Sequence, residues 1–146
     1  MQRFVEVDSF DKHKIDYVAL YLFVDANHVV TVTEKRGSVG FPSGRVNMND
    51  TSVFSAMKRE YVEETGNSLP KLENIRRFVY NDDTAIYYAT TNDFVSTKLG
   101  TKRDGEIIDM YLTNVVYIKD ALKGKRFTLR RCAKGSTKLL FKQLGI

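Results

Sequence analysis

The chain has 146 residues, a length typical of one domain, and its 42% hydrophobic and 28% charged residues exclude a disordered chain. Its single cysteine, Cys132, excludes an internal disulfide framework, and its two histidines argue against a multi-histidine metal site. The net charge is +5, but residues 119–146 hold nine Lys/Arg and one acid, which indicates either a solvated helix face or a surface for an anionic partner.

The sequence predicts one soluble domain over residues 1–146, located in the cytoplasm and without a membrane partner. The longest apolar run, Tyr17 to Val24, is too short to span a bilayer. Acidic residues precede that run, which is not the pattern of a secretory signal. The sequence leaves the oligomeric state open.

The first half of the chain reads as strands followed by a helix. Residues 1–14 are expected to include a short edge element, and Tyr17 to Val24 predicts a buried strand. The alternating residues 29–34 predict a second strand that closes a hairpin with it. A loop should follow, because three glycines punctuate it: Gly37, Gly40 and Gly44.

A helix is predicted from Val53 to about Thr65. Thr51 or Ser52 can cap its start, and Gly66 can end it. Its buried side is expected to consist of the apolar residues Val53, Phe54, Met57, Tyr61 and Val62.

The second half of the chain is predicted to add strands and two short helices. The expected strands are residues 75–79, 84–90, 107–112 and 115–118, with a turn at residues 81–83. The expected helices lie near residues 120–123 and from about 136 to 144. Such a mixture is typical of a layered α+β or α/β domain.

Three glutamates of the predicted helix share one face. Glu60, Glu63 and Glu64 are spaced i, i+3 and i+4, so their like charges repel one another. A hard divalent cation such as Mg²⁺ would relieve that repulsion, since it prefers carboxylate oxygens. The alternative is a solvated acidic stripe, which is the usual reading of a bare charge run.

Seven residues in and around this helix follow a spaced pattern: Gly44, Arg59, Glu60, Tyr61, Glu63, Glu64 and Gly66. The pattern resembles the Nudix box, which is a glycine, five residues, a glutamate, seven residues and then R-E-U-x-E-E-x-G-U, with U bulky and apolar. The segment Phe41-Pro42-Ser43-Gly44 also resembles the F-P-K-G lead-in of some family members.

Three positions depart from this pattern. Asp50 replaces the first glutamate, the spacer from Asp50 to Arg59 is one residue longer, and Asn67 is polar where the family has an apolar residue. We expect a loop near the helix start to absorb the extra residue. The three helix glutamates are intact, so the departures do not predict a loss of activity.

The resemblance implies an α/β/α sandwich around a mixed sheet and a Mg²⁺- or Mn²⁺-dependent hydrolase of phosphoanhydride bonds. It implies that Glu60, Glu63 and Glu64 bind the metal, together with the main-chain carbonyl of Ser43. Arg59 would hold a glutamate in place. A further catalytic acid is expected in a segment similar to the family's D-G-E-I-x-x-x-x-W, with Glu106 preferred over Asp109 and Asp104.

The implied reaction is cleavage of the diphosphate linkage of a nucleoside diphosphate joined to another group. Arg36 and Arg45 are candidates to bind the substrate phosphates. A specific alternative is decapping of RNA, with the basic segment 119–146 binding the RNA, or hydrolysis of a dinucleoside or inositol polyphosphate. The other alternative is a non-catalytic Nudix-fold module that binds a nucleotide or RNA.

Overall fold

Eight strands and three helices make up the chain in a computed structural model that describes residues 2–101, 103 and 105–146. The strands are β1 (Phe4–Val7), β2 (Tyr17–Phe23), β3 (His28–Glu34), β4 (Val39–Gly40), β5 (Ser43–Arg45), β6 (Glu73–Tyr80), β7 (Thr84–Thr90) and β8 (Ile107–Asn114). The helices are α1 (Val53–Thr65), α2 (Val115–Leu122) and α3 (Arg131–Leu144), and a 3-10 turn spans Lys12–Lys14.

All the strands join one mixed sheet with the order β1-β6-β7-β2-β3-β4, and β5 and β8 pair with β2 and β3. The central β2 runs parallel to β7 and antiparallel to β5. The predicted hairpin of β2 and β3 exists, but its register is limited to Phe23 and Val29. Beyond that pair the two strands diverge, because β2 takes β5 as its partner and β3 takes β8.

Helices cover both faces of the sheet, which confirms the predicted α/β/α sandwich. On one face, Val18, Leu20 and Leu22 of β2 pack with Met57 and Tyr61 of α1. The second face packs against α2 and α3 through a separate core, whose members include Tyr21, Phe23, Ile118, Leu140 and Phe141. Because side chains of a strand alternate, β2 buries both of its faces, as its continuous apolar run predicts.

Helix α1 follows the sequence prediction in its bounds. The Ser52 hydroxyl accepts a hydrogen bond from the amide of Ser55 at 3.0 Å, and Gly66 adopts the left-handed conformation that ends the helix. Phe54 and Val62 were predicted to be buried, but they are 39% and 38% exposed. The buried face of the helix is therefore narrower than the predicted one. Acidic residues can lie at the edge of this face.

Three other predictions are corrected by the structure. Residues 115–118 form the start of α2 and not a strand, because the Asn114 side chain caps the helix by accepting from the Val116 amide. Helix α3 begins at Arg131, five residues before the predicted start. The glycine loop contains the short strands β4 and β5, and this pairing fixes Ser43 and Gly44 beside β2.

No helix among the described residues combines the length and the apolarity needed to cross a bilayer.

Candidate active site

The acidic residues of α1 face the β5 strand, where the chain passes close to the helix. Glu60 lies directly against Gly44, and a β-carbon on Gly44 would overlap the Glu60 carboxylate. Glu64 accepts a hydrogen bond from the Ser43 amide, with 2.7 Å between the nitrogen and Oε1. A side chain at position 44 would therefore displace the Glu60 carboxylate, and β5 and α1 together form the floor of an acidic site.

Arg59 binds three of the site's acids. Its Nε and Nη2 atoms donate to the two carboxylate oxygens of Asp50 at 2.9 and 3.0 Å. Its Nη1 atom donates to Glu60 at 2.8 Å and to Glu63 at 3.2 Å. Nη2 also donates to the carbonyl oxygen of Arg45 at 2.8 Å, which ties the helix to β5.

Asp50 forms an ion pair with Arg59 although its side chain is one methylene shorter than that of the family's glutamate. It is buried, and its carboxylate also accepts from the Asn47 amide at 2.7 Å. The hydrogen bond from Arg59 holds the pKa of Asp50 below its usual value, against the opposing effect of burial. The longer spacer therefore leaves Asp50 in contact with Arg59.

Glu64 is the most deeply buried glutamate of the site. Burial raises its pKa to about 7, although the Ser43 amide and the nearby Arg130 favour the charged form. Burial also raises the pKa of Glu60, even though Arg59 opposes the shift. Two carboxyl groups are thus held in a setting where additional positive charge would stabilise their ionised forms.

Arg130 is a site residue that the sequence prediction missed. It lies 66 residues from Glu64 along the chain, yet its Nη2 atom donates to Glu64 Oε2 at 3.3 Å. It also pairs with Glu34 at the end of β3 and donates to the Ser43 hydroxyl at 3.1 Å. The sequence assigned this arginine to a basic segment, and no local motif signals its contact with α1.

The acidic residues fit a hard divalent cation by their chemistry, since every donor is an oxygen. Across residues 2–101, 103 and 105–146, however, no group of three acidic, histidine or cysteine side chains forms a ready-made metal cage. The carboxylates of Glu60, Glu63 and Glu64 are engaged instead by Arg59 and Arg130. The metal roles of Glu60, Glu63, Glu64 and the Ser43 carbonyl therefore stay predictions.

Two of the three predicted distal acids, Glu106 and Asp109, lie at or on β8. The carbonyl oxygen of Glu106 accepts from the Lys35 amide at 2.9 Å, which sets Glu106 beside the turn between β3 and β4. Asp109 is exposed on β8 opposite Thr33. Asp104 lies outside the described residues.

The two predicted phosphate-binding arginines differ in their surroundings. Arg45 is exposed on β5, and its guanidinium lies 4.9 Å from the centre of the Tyr17 ring. Arg36 is exposed in the turn between β3 and β4, where its neighbour Lys35 bonds to Glu106. Arg45 thus lies next to the acidic site, because its carbonyl oxygen accepts from Arg59. Arg36 follows Lys35, whose amide donates to Glu106.

A cleft of about 550 Å³ opens next to Ser43 and Gly44. Its lining combines apolar residues, such as Phe41 and Ile86, with polar ones, and it includes Arg130 and Arg131 at the start of α3. A cleft of this size, with both apolar and polar groups in its lining, can hold a small molecule. It adjoins the acidic residues through Ser43 and Arg130.

No protein-family model matches the chain, and no curated protein matches it. Solved structures do resemble it. The NUDIX domain of Shewanella oneidensis NrtR, solved in complex with ADP ribose, is 15% identical over 90% of this chain and 88% of that chain, with a TM-score of 0.60.

Two further structures show the same likeness. A variant of the Bacillus subtilis pyrophosphohydrolase BsRppH is 17% identical over 77% of this chain and 70% of that chain, with a TM-score of 0.55. A UDP-X diphosphatase is 15% identical over 88% of this chain and 62% of that chain, with a TM-score of 0.58. The chain therefore has the fold of the Nudix hydrolases, as its sequence motif predicts.

Proposed function

We propose that the protein is a metal-dependent pyrophosphohydrolase that cleaves the diphosphate linkage of a nucleoside diphosphate joined to another group. The observation that carries this proposal is the meeting of Glu60 and Glu64 with the Ser43-Gly44 segment, beside an open cleft. Burial of a carboxylate costs hydration free energy, so the acids of a purely solvated surface stripe are expected to stay exposed. Two of these acids are instead buried against a strand.

Glu60, Glu63 and Glu64, with the Ser43 carbonyl, would hold Mg²⁺ or Mn²⁺. Such an ion neutralises the charge of a diphosphate and lowers the pKa of a bound water. Arg59 keeps the acids in position, and Asp50 in turn fixes the orientation of Arg59.

The cleft would take the nucleoside part of the substrate, and the solved NrtR domain was crystallised with a nucleotide of this class, ADP ribose. Arg45 and Arg36 are the proposed phosphate ligands. Glu106, with Asp109 behind it, is the proposed acid that accepts the proton of the attacking water.

The proposal is tested by incubating the protein with Mg²⁺ or Mn²⁺ and a panel of diphosphates, with the products read by chromatography. The panel holds ADP-ribose, a dinucleoside polyphosphate, a nucleoside triphosphate, a diphosphoinositol phosphate and a capped RNA. We expect turnover of one class that Glu63→Gln abolishes. Glu6→Gln is the matched control. Glu6 lies on the edge strand β1, where it pairs with Arg76 and makes no contact with Arg59.

A second candidate function, hydrolysis at the 5′ end of RNA, is favoured by a specific feature of α3. Four cations of this helix are exposed: Arg131, Lys134, Lys138 and Lys142. Their spacing puts them on one face over about 16 Å, and the helix contains no acid. Because Arg131 lines the cleft, a strand whose 5′ phosphates enter the cleft could continue along this stripe.

Salt dependence separates this function from hydrolysis of a small nucleotide. The inactive variant Glu63→Gln would be used to measure binding of capped RNA at several salt concentrations. If the stripe neutralises four phosphates, a plot of the logarithm of the affinity against the logarithm of the salt concentration should have a slope of about −3. Changing Lys134, Lys138 and Lys142 together to Gln should remove most of that slope. The same change at three exposed lysines elsewhere is the matched control: Lys14, Lys71 and Lys98.

The same variants test the non-catalytic alternative. Tight binding of one ligand without metal, together with no turnover of any panel member, would show a binding module and overturn the enzymatic proposal.

A further inference from the structure

The geometry points to Arg130 as an internal counter-ion of the metal site, which holds Glu64 in the metal-free protein and releases it when a divalent cation binds. This inference rests on the proposed function, because it assumes that Glu64 is a metal ligand. It adds a regulatory contact from the C-terminal segment to a site otherwise built from α1 and β5.

Arg130 bonds to Glu64, whereas Arg59 bonds to Asp50, Glu60 and Glu63. Its guanidinium contacts Glu34 of β3, the hydroxyl of Ser43 on β5 and Glu64 of α1. The side chain is only 14% exposed, so these contacts are shielded from solvent. One guanidinium thus joins three elements, and it lies beside Glu64, where a positive charge stabilises the ionised carboxylate.

The backbone around Arg130 is built to deliver the side chain to this position. The Arg130 amide donates to the carbonyl oxygen of Val39 at 2.7 Å, and the Val39 amide donates to Thr128 at 2.8 Å. The side chain then passes over Gly40, where a β-carbon would overlap its Cδ atom. Gly40 therefore provides the space that the arginine needs, and the contact with Glu64 follows from a fixed backbone.

The two ion pairs of Arg130 are unequal. Nε donates to Glu34, whereas Nη2 lies 3.3 Å from Glu64, just beyond the usual range of an N–H···O hydrogen bond. Glu64 also keeps its bond from the Ser43 amide at 2.7 Å, which fixes its other oxygen without any arginine. Glu64 can therefore give up Arg130 at small loss while Arg130 remains on Glu34.

A cation bound at Glu64 would be repelled by the guanidinium beside it, since two positive charges would share one carboxylate. Relief comes from turning the Nη2 end of the guanidinium away from Glu64 and toward the cleft that Arg130 already lines, while Nε stays on Glu34. The phosphates of an anionic substrate would meet it there. Metal binding and phosphate binding would thus be coupled through one side chain.

The test is calorimetric titration of the protein with Mn²⁺ alone at fixed pH and ionic strength. We expect Arg130→Gln to bind Mn²⁺ about tenfold more tightly than the wild type, the size of one partly screened charge interaction. The matched control is Arg3→Gln, which removes the same charge at an exposed pair with Asp82. It should leave the affinity within about twofold of the wild type, because exposed charges are screened.

An affinity in Arg130→Gln that equals or falls below that of Arg3→Gln would overturn the inference, because Arg130 would then support the metal ligands and not compete with the metal. Absence of Mn²⁺ binding by the wild type would overturn the proposed function as well. The two failures are therefore distinguishable.

Two measurements guard against a folding defect in Arg130→Gln. Arg130→Lys keeps the charge but lacks the fork that reaches three partners, so its Mn²⁺ affinity should lie between those of the wild type and Arg130→Gln. In the wild type, the ¹⁵N-coupled signal of the Arg130 Nε–H, assigned by its loss in Arg130→Lys, should shift during titration with diamagnetic Mg²⁺. A signal unmoved at saturating Mg²⁺ would overturn the inference.

Discussion

Replacing Asp50 with asparagine tests how the unusual aspartate supports the acidic site. Asp50 is 8% exposed and receives two bonds from Arg59, at 2.9 and 3.0 Å, and one from the Asn47 amide at 2.7 Å. Asparagine keeps the shape but removes the charge, and it turns an amide group toward a donor. The change therefore removes the strongest ion pair of Arg59 and leaves its guanidinium poorly satisfied.

The magnitude follows from the geometry of the pair. A hydrogen bond to a charged group contributes about 1.5–3 kcal/mol, and the 25% exposure of the Arg59 side chain reduces the effect through solvent screening. We expect Asp50→Asn to lower the free energy of unfolding by about 2 kcal/mol. For a domain of this size that corresponds to a fall of about 4–8 °C in Tm.

The assay is urea denaturation of the metal-free protein at pH 7, followed by circular dichroism. Glu63→Gln is the internal control, because it breaks an ion pair with the same arginine, Arg59, in which the Glu63 side chain is half exposed. This change should lower the free energy of unfolding by less than about 0.5 kcal/mol. Equal midpoints for the two variants would refute the reasoning that burial makes the Asp50 pair the stronger one.

Three further predictions concern the buried carboxyls and Gly44. Because the pKa of Glu64 is raised to about 7 from 4.5, the stability contributed by its protonated form is fully present below pH 4.5 and lost as the pH rises through about 7. Between pH 4.5 and pH 8, the unfolding free energy of the metal-free wild type should therefore fall by about 2–3 kcal/mol more than that of Glu64→Gln. An equal dependence of the unfolding free energy on pH in the two proteins would contradict this. Mn²⁺ affinity measured by calorimetry should rise with pH up to about 7 and then level off, because the metal must displace the Glu64 proton; a flat profile would count against Glu64 as a ligand. Gly44→Ala should lower kcat/KM at least about tenfold with a small loss of stability, since the new methyl group displaces only the flexible Glu60 carboxylate. Unchanged turnover would show that activity does not depend on the position of that carboxylate.

The parts of the fold that depend on local signals were predictable from the sequence. Helix α1 has both a capping serine and a terminating glycine, and its observed bounds equal the predicted ones. Strand β7 was also predicted at its observed bounds, because it follows an Asn-Asp turn with left-handed residues at Asn81 and Asp82.

The start of α2 was not predictable in the same way. Residues 115–118 contain a β-branched and aromatic run that favours a strand. In the fold, Val115 and Ile118 face the core while Asn114 caps the helix, so burial and the cap override the local preference. Such an outcome depends on tertiary contacts that a single sequence does not reveal.

The acidic half of the candidate site was predictable because helical spacing alone brings Glu60, Glu63 and Glu64 to one side of α1. Its basic half was predictable only in part. Arg59 belongs to the motif, whereas Arg130 and Glu34 meet the site from distant parts of the chain. Their contact depends on how β3, β4 and α3 come together, and no residue spacing encodes it.

The most direct test of the central claim is the rate of diphosphate hydrolysis as a function of Mg²⁺ or Mn²⁺ concentration, in the wild type and in Glu63→Gln. We predict a rate that rises with the metal and saturates in the wild type, and that is lost in the variant while its fold is retained. Hydrolysis that persists in Glu63→Gln, or that proceeds equally in a chelator, would contradict a mechanism built on the carboxylates of α1.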